Sequence, residues 1–306
     1  MKKLIFSIVA LCACAGATAQ SSFYVYKTDG STVEYAVSEV DSISFTKPEG
    51  SGDVLAGAFS VAEGKQIAFS RGNLQCSGVT SGEYVWSFAE NQYDMIGTAN
   101  VSDEALADKI DLFGWSGSTG SAQWGISTSK FFDYSGDFVD WGTNTIGTAV
   151  PNTYRTLTYD EWDYIINTRT EASKLQGVAR INLNSDGTQY ANGLILLPDS
   201  WTCPTDVIFK SGFANSSGVD GYATYQTFTL TEWQKLEAAG AVFLPASGRR
   251  YGSDMYSVQF GGYYWSATPG DSNYAYRLLF LSTLAYSDNF DYRYFGFAVR
   301  LVQDLD

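Results

Sequence analysis

The sequence predicts an α+β protein of antiparallel sheets, two short helices and long loops, preceded by a small β-module. Three observations predict it. Of the 306 residues, 16% are aromatic, only 17% are charged and 30 are Gly. That balance suits pleated, half-buried surfaces and polar turns better than a helical bundle. Two segments share one start, Thr158-Tyr159-Asp160-Glu161-Trp162 and Thr229-Leu230-Thr231-Glu232-Trp233, and both read as capped helices. The run from Tyr274 to Leu281 alternates with period 2. It sets Tyr276, Leu278 and Phe280 on one face and Arg277, Leu279 and Leu281 on the other.

The elements follow in chain order. Met1-Lys2-Lys3 is basic, Leu4 to Cys12 is apolar, and Ala17-Thr18-Ala19 is a small-residue cleavage site. Residues 1–19 therefore read as a secretory signal peptide. Leu11-Cys12-Ala13-Cys14 also resembles a bacterial lipoprotein box, with Cys14 as the acylated residue. Cys12 is an unusual occupant of that box, so cleavage after Ala19 is favoured and a lipid anchor at Cys14 is the alternative. No later segment reads as a transmembrane span. The expected location is exported: cell surface, outer membrane or extracellular.

Residues 20–47 form the small β-module. Phe23-Tyr24-Val25-Tyr26 and Val33 to Val37 flank an Asp29-Gly30 turn, a hairpin pattern. Ser42-Ile43-Ser44-Phe45 is a candidate third strand. This text resembles the short leading module of many exported bacterial proteins. Pro48, Gly50, Ser51 and Gly52 mark a linker over 48–57, and 58–303 reads as one large domain. It opens on strand text at Gly64 to Ser70 and Tyr84 to Phe88. The stretch from Gly114 to Gly147 reads as a packed loop pinned by Trp115, Trp124 and Trp141; its spaced glycines lack the Gly-Lys-Ser/Thr ending of a phosphate loop.

In each predicted helix the Thr hydroxyl takes an orphan N–H and the Glu reaches back to the cap. Trp162, Ile165, Ile166 and Arg169 lie at helical spacing, as do Trp233, Leu236 and Ala239, with Gly240 placed to end the second helix. A strand ending in Leu-Pro follows each helix, at Gly193 to Pro198 and Ala241 to Pro245, a weak internal repeat. Capping explains Glu161 and Glu232 more simply than a catalytic pair does.

Composition excludes several functions. The chain has no His, which removes Ser-His-Asp and Cys-His catalysis and His-ligated zinc. A net charge of −14 makes nucleic acid a poor partner. No metal, cofactor or catalytic set is expected. Cys76 and Cys203 are the two cysteines beyond the leader, and either form one disulfide or stay as separate thiols.

The C-terminal text, "GAVFLPASGRR", "GGYYWSATP", "AYRLLF" and "GFAVRLV", resembles the C-type-lectin-like fold of exported bacterial domains. It is similar to the Fibrobacter succinogenes major paralogous domain family and, more distantly, to formylglycine-generating-enzyme-type domains. The resemblance spans roughly Phe59 to Val302. Sulfatase-activating members use C-terminal cysteines, and no Cys follows Cys203. The Glu-Pro-Asn, Gln-Pro-Asp and Trp-Asn-Asp motifs of calcium-dependent lectins are absent as well. Some proteins of this fold are targets of diversity-generating retroelements, whose adenine-directed changes at Asn codons never yield Lys, Glu, Gln, Met or Trp. None of those five occurs between Pro269 and Val302.

A loop is expected over Ser282 to Tyr294, with Asp288-Asn289-Phe290-Asp291 as a solvated turn rather than a calcium loop. The Tyr, Asn and Asp content of this region is that of a paratope. The candidate ligand-binding residues are Asp271, Asn273, Tyr274, Arg277, Leu279, Leu281, Tyr286, Asp288, Asn289, Asp291, Tyr292 and Tyr294. The expected function is ligand binding at a cell surface, adhesin-like, with a surface protein or glycan as partner. A fimbrial-tip or envelope subunit is the alternative. A carboxylate-dependent glycosidase comes third, since it needs two carboxyl groups roughly 5–10 Å apart in a cleft.

Overall fold

The computed structural model describes residues 22–26, 32–36, 53–119, 123–131 and 134–305. The expected signal peptide, Cys14, the expected Asp29-Gly30 turn, the candidate strand over 42–45 and residues 48–52 of the expected linker lie outside the described residues. The chain divides into two units, ending and beginning at Pro48 and Glu49. In the first, β1 (Ser22–Tyr26) pairs antiparallel with β2 (Thr32–Ala36), from Tyr26 opposite Thr32 to Ser22 opposite Ala36.

The second unit runs through β3 (Phe59–Ala62), β4 (Lys65–Phe69), β5 (Leu74–Ser77), β6 (Val85–Phe88), β7 (Val101–Ser102), β8 (Ala105–Leu106) and β9 (Arg155–Thr156). Then come α1 (Tyr159–Asp163), β10 (Gln176–Asn182), β11 (Tyr190–Leu196), α2 (Val219–Tyr225), β12 (Thr227–Thr229), α3 (Leu230–Ala238) and β13 (Val242–Pro245). The last part holds β14 (Arg249–Tyr251), β15 (Asp254–Tyr256), β16 (Gly261–Pro269), β17 (Tyr274–Leu281), β18 (Leu284–Tyr292), β19 (Phe295–Gly296) and β20 (Leu301–Leu305). Bonding begins ahead of position 58: Val54 bridges Ser70, and the Leu55 N–H donates to the Phe69 carbonyl.

The protein is therefore α+β, with mostly antiparallel sheets and short helices. The final strand closes the unit: β20 lies between β4 and β9 in the order β3-β4-β20-β9. A second sheet has the order β12-β10-β11-β13 and is buried on both faces. Val178, Leu194, Leu196 and Val242 face one core, while Ala179, Ile181, Ile195 and Phe243 face another. Burial on both sides is why β11 and β13 carry unbroken apolar runs, Leu194 to Leu196 and Val242 to Leu244. No helix among the described residues is long and apolar enough to cross a membrane.

Both capping boxes form. The Thr158 and Thr229 hydroxyls accept from Glu161 and Glu232 N–H, and each Glu carboxylate accepts from its cap N–H. After α1 the chain continues as one π-turn over Tyr164–Thr168, which keeps Trp162, Ile165, Ile166 and Arg169 all buried. Gly240 ends α3 at φ +93°, a conformation that favours Gly. α2 is a third helix beyond the two expected. Its glycines, Gly218 and Gly221, hide it in the sequence, and it is anchored by the fully buried Tyr222, whose hydroxyl donates to the Phe260 carbonyl at 3.0 Å.

The Trp-bearing loop is packed as expected. Trp115 and Trp141 are fully buried, and their indole N–H groups donate to the carbonyls of Ser266 and Trp124, each at 3.0 Å. The expected loop over Ser282–Tyr294 is instead mostly strand β18, so Asp288 to Asp291 are strand residues rather than a turn. Asp and Asn are poor strand formers, and a bulge breaks the period-2 pattern there. Cys76 and Cys203 do not pair. Cys76 lies in a core where burial pushes its thiol up to about 12, and Cys203 is exposed.

Candidate functional site

The three-stranded sheet β16-β17-β18 carries the candidate residues. Its register sets Tyr263, Leu279 and Tyr286 in one row and Trp265, Arg277 and Asn289 in the next. Tyr276 lies opposite Phe290, and Tyr274 opposite Tyr292. Between Arg277 and Leu279 the partner strand carries two residues, Ser287 and Asp288, against the single Leu278: a β-bulge.

Neither face of this sheet is covered along its whole length. On the face of Tyr274, Tyr276, Leu278 and Phe280, the last two are fully buried in the core that holds Trp162 and Tyr264. Tyr274 and Tyr276 project past that core and stay half-buried. On the opposite face, Ala275 is sealed by the core of Trp115, Trp265 and Phe297, while Leu279 and Leu281 keep exposed surface. The predicted site thus divides between two faces. Tyr274 and Tyr292 lie on the first. Arg277, Leu279, Leu281, Tyr286, Asn289 and Asp291 lie on the second.

On the first face the rings form a continuous ladder. Tyr159 at the start of α1 lies 4.6 Å from Tyr276, Tyr276 lies 5.9 Å from Phe290, and Phe290 lies 5.3 Å from Tyr274. Tyr274 is 4.4 Å from Tyr292, and Tyr292 stacks on Tyr294 at 4.9 Å with planes 10° apart. Tyr251 from β14 closes the row, 5.7 Å from Tyr294. Phe290 is 48% exposed and the tyrosines are half-buried, so the ring contacts hold their geometry while leaving edges and faces open. A hydrogen bond with Tyr292 pushes the Tyr274 hydroxyl up to about 12. Burial, then Asp163, Asp288 and Asp160, raise that of Tyr159. These hydroxyls are donors at neutral pH.

Other candidates serve the frame. The Asp271 carboxylate accepts the N–H groups of Asn273 and Tyr274 at 2.7 and 3.1 Å, so it shapes the turn into β17. Buried Arg293 fixes that turn from below. It donates to the Asp271 carbonyl at 2.6 Å and the Tyr274 carbonyl at 3.2 Å, and its guanidinium lies 4.0 Å over Trp115. The Asn273 carbonyl accepts the Arg293 N–H at 2.9 Å. Arg277 is buried and ion-paired with Asp291. Asp288 is exposed at the bulge, and the exposed Asn289 accepts the Phe290 N–H at 2.9 Å.

Sequence reasoning missed Tyr159, Tyr251, Tyr276 and Phe290. Alternation sets Tyr276 on one face with Leu278 and Phe280; it is on that face, beyond the point where the core ends. Tyr159 and Tyr251 reach the ladder through tertiary packing, and neighbouring residues carry no signal of it.

Surface hollows elsewhere offer committed carboxylates. One of about 280 Å³ is lined by Asp199 and Glu171. Asp199 accepts from Ser60, Gln66 and Arg169, and Glu171 pairs with Lys174. In another, of about 410 Å³, Glu161 and Asp304 both bind Arg155. The carboxyls that burial raises, Asp111, Asp140 and Glu237, are held by Ile96 and Asn100, by Gly142 and Thr156, and by Gln92. Comparison with protein-family models, curated proteins and solved structures finds no match for this chain.

Proposed function

We propose that this chain is an exported, adhesin-like ligand-binding protein and that the Tyr ladder of β17 and β18 is its recognition surface. The observation that carries the reading is the ladder itself: stacked, half-open rings on a sheet whose core stops short of them. Tyr offers large contact area at low entropic cost, and its hydroxyls adapt to either a protein or a glycan. A large apolar surface left open on a packed domain marks an interaction site. We read the domain as C-type-lectin-like, in keeping with its antiparallel sheets, short helices and long packed loops. Every Tyr, Asp and Asn between Asp271 and Tyr294 keeps exposed surface, while Ala275, Leu278, Phe280 and Arg293 are buried. That segregation is what a retroelement-varied face on a fixed scaffold requires.

The test is a glycan-array and surface-protein screen with residues 20–306, run beside a variant carrying Tyr274→Ala, Tyr276→Ala and Tyr292→Ala. A ligand bound by the parent and lost by the folded variant supports the reading. Binding that survives all three changes removes the ladder as the site.

A further inference from the structure

The opposite face of the same sheet carries two guanidinium groups on one tyrosine. The Arg249 guanidinium lies 5.5 Å from the Tyr263 ring centre, 5.9 Å from Tyr256 and 5.1 Å from Phe295. The Arg277 guanidinium lies 5.5 Å from the same Tyr263 ring. Among the described residues a single carboxylate, Asp291, serves the pair, and it is bound to Arg277. The Arg277 side chain is only 7% exposed, yet its Nη1 has no hydrogen-bond partner among the described residues. The Arg249 side chain makes no hydrogen bond or ion pair with any described residue, and its Nε is buried without a partner among them.

Buried N–H groups are nearly always paired, and a guanidinium presents five of them in a rigid fork. Among the described residues, two such forks with one carboxylate leave a positive charge and directed donors unanswered, in a chain whose net charge is −14. A planar carboxylate matches that fork through two parallel bonds. The flanks are aromatic: Tyr256 is 45% exposed and Tyr286 is 48% exposed. Tyr286 shares its row with Leu279 and Tyr263, so the row spans about 10 Å across three strands, the width of one sugar ring and its neighbour. The acidic balance of the whole chain repels a run of carboxylates but admits one on an otherwise neutral ligand.

We propose that this face is a second binding site, for the carboxylate of an acidic saccharide. Arg249 is the primary anion contact. The Arg277–Asp291 pair and Tyr263 form the floor, and Tyr256 and Tyr286 stack on the sugar rings. Arg277, Tyr263 and Tyr286 lie on the face opposite Tyr274, Tyr276 and Tyr292; the two sites adjoin at Phe295, which lies 5.1 Å from the Arg249 guanidinium and 5.4 Å from the ladder rings of Tyr251 and Tyr294, and separate substitutions tell them apart.

The experiment is calorimetric titration of the exported chain with a trisaccharide that carries a single uronic acid on otherwise neutral sugars and with its neutral methyl ester, at low and at physiological salt. The expected result is acid binding about tenfold tighter than ester binding, weakening with salt. Arg249→Gln removes that preference without unfolding the protein, as the Arg249 side chain holds no hydrogen bond to any described residue and its backbone pairing with Tyr256 is kept. Tyr274→Ala with Tyr292→Ala leaves the preference intact. Equal affinity for acid and ester, including no binding to either, overturns the proposal. So does a preference that survives Arg249→Gln. Binding of an oligoglutamate in place of the saccharide overturns the assignment to a sugar.

Discussion

Arginine does much of the work that other proteins divide among several residue types. Arg250 donates to the Ser127 and Gly252 carbonyls, each at 2.8 Å. Arg293 clamps the turn before β17 as described above, and Arg300 donates to Gln92 at 2.8 Å inside the core. Arg250 and Arg293 answer loop carbonyls that would otherwise go unpaired, and Arg300 answers the Gln92 side chain and the Phe243 carbonyl of β13. Arg169 adds a carboxylate, Asp199, at 3.2 Å. Replacing Asp199 by Ala leaves that buried charge without its partner, at an expected cost of about 3 kcal/mol in chemical unfolding. Asp199 also sets a pH dependence. Burial raises its carboxyl, but Ser60, Gln66 and Arg169 outweigh that and hold it below the usual carboxylate value. Its stabilisation is therefore complete above the unfolded pKa of about 3.9 and is lost as pH falls through the lower folded value. In acid titrations, Asp199→Asn should flatten the fall in stability below that point. Thiol chemistry is the other residue-scale outcome. In residues 20–306, native labelling at pH 8 should modify Cys203 alone, and Cys76 should react only on unfolding.

At the scale of elements, the legible parts were those whose signal is local. The capping boxes at Thr158 and Thr229 were readable because cap and Glu lie three positions apart, and each box forms. Thr229→Ala should cost about 1 kcal/mol, read from the denaturant midpoint. The hairpin of β1 and β2, the Trp-pinned loop and the alternation of β17 were readable for the same reason. Strand β18 was not, because a bulge at Ser287 and Asp288 shifts its side chains mid-strand. Helix α2 was hidden by its glycines, and β10 by lying between α1 and the Leu-Pro strand, where the repeat pattern expected no strand. The site was half legible. Its residues were named from composition, but composition does not say which face a residue takes. Where each face is covered depends on where two separate cores end.

For the whole molecule, the second unit closes by pairing its last strand with its early ones, so β20 is central to a sheet rather than appended. Leu301 and Val302 are fully buried there. Removing residues 301–306 should abolish cooperative unfolding, because β4 and β9 then lose their shared partner. The cores on either side of β16-β17-β18 each cover one end of one face, which leaves two open surfaces on opposite sides. One is a Tyr ladder near Asp160, Asp163 and Asp288; the other carries Arg249, whose side chain has no hydrogen-bond or ion-pair partner among the described residues. A sheet wedged between two cores thus presents two chemically different faces to solvent.

The most direct test of the central claim is tyrosine footprinting of the folded chain, alone and with a ligand from the binding screen. Tyr274, Tyr276 and Tyr292 should be reactive in the free protein and protected by ligand, while Tyr222 and Tyr264 stay unreactive throughout. If the ladder tyrosines are already protected without ligand, or stay reactive while other sites become protected, the ladder is not the recognition surface.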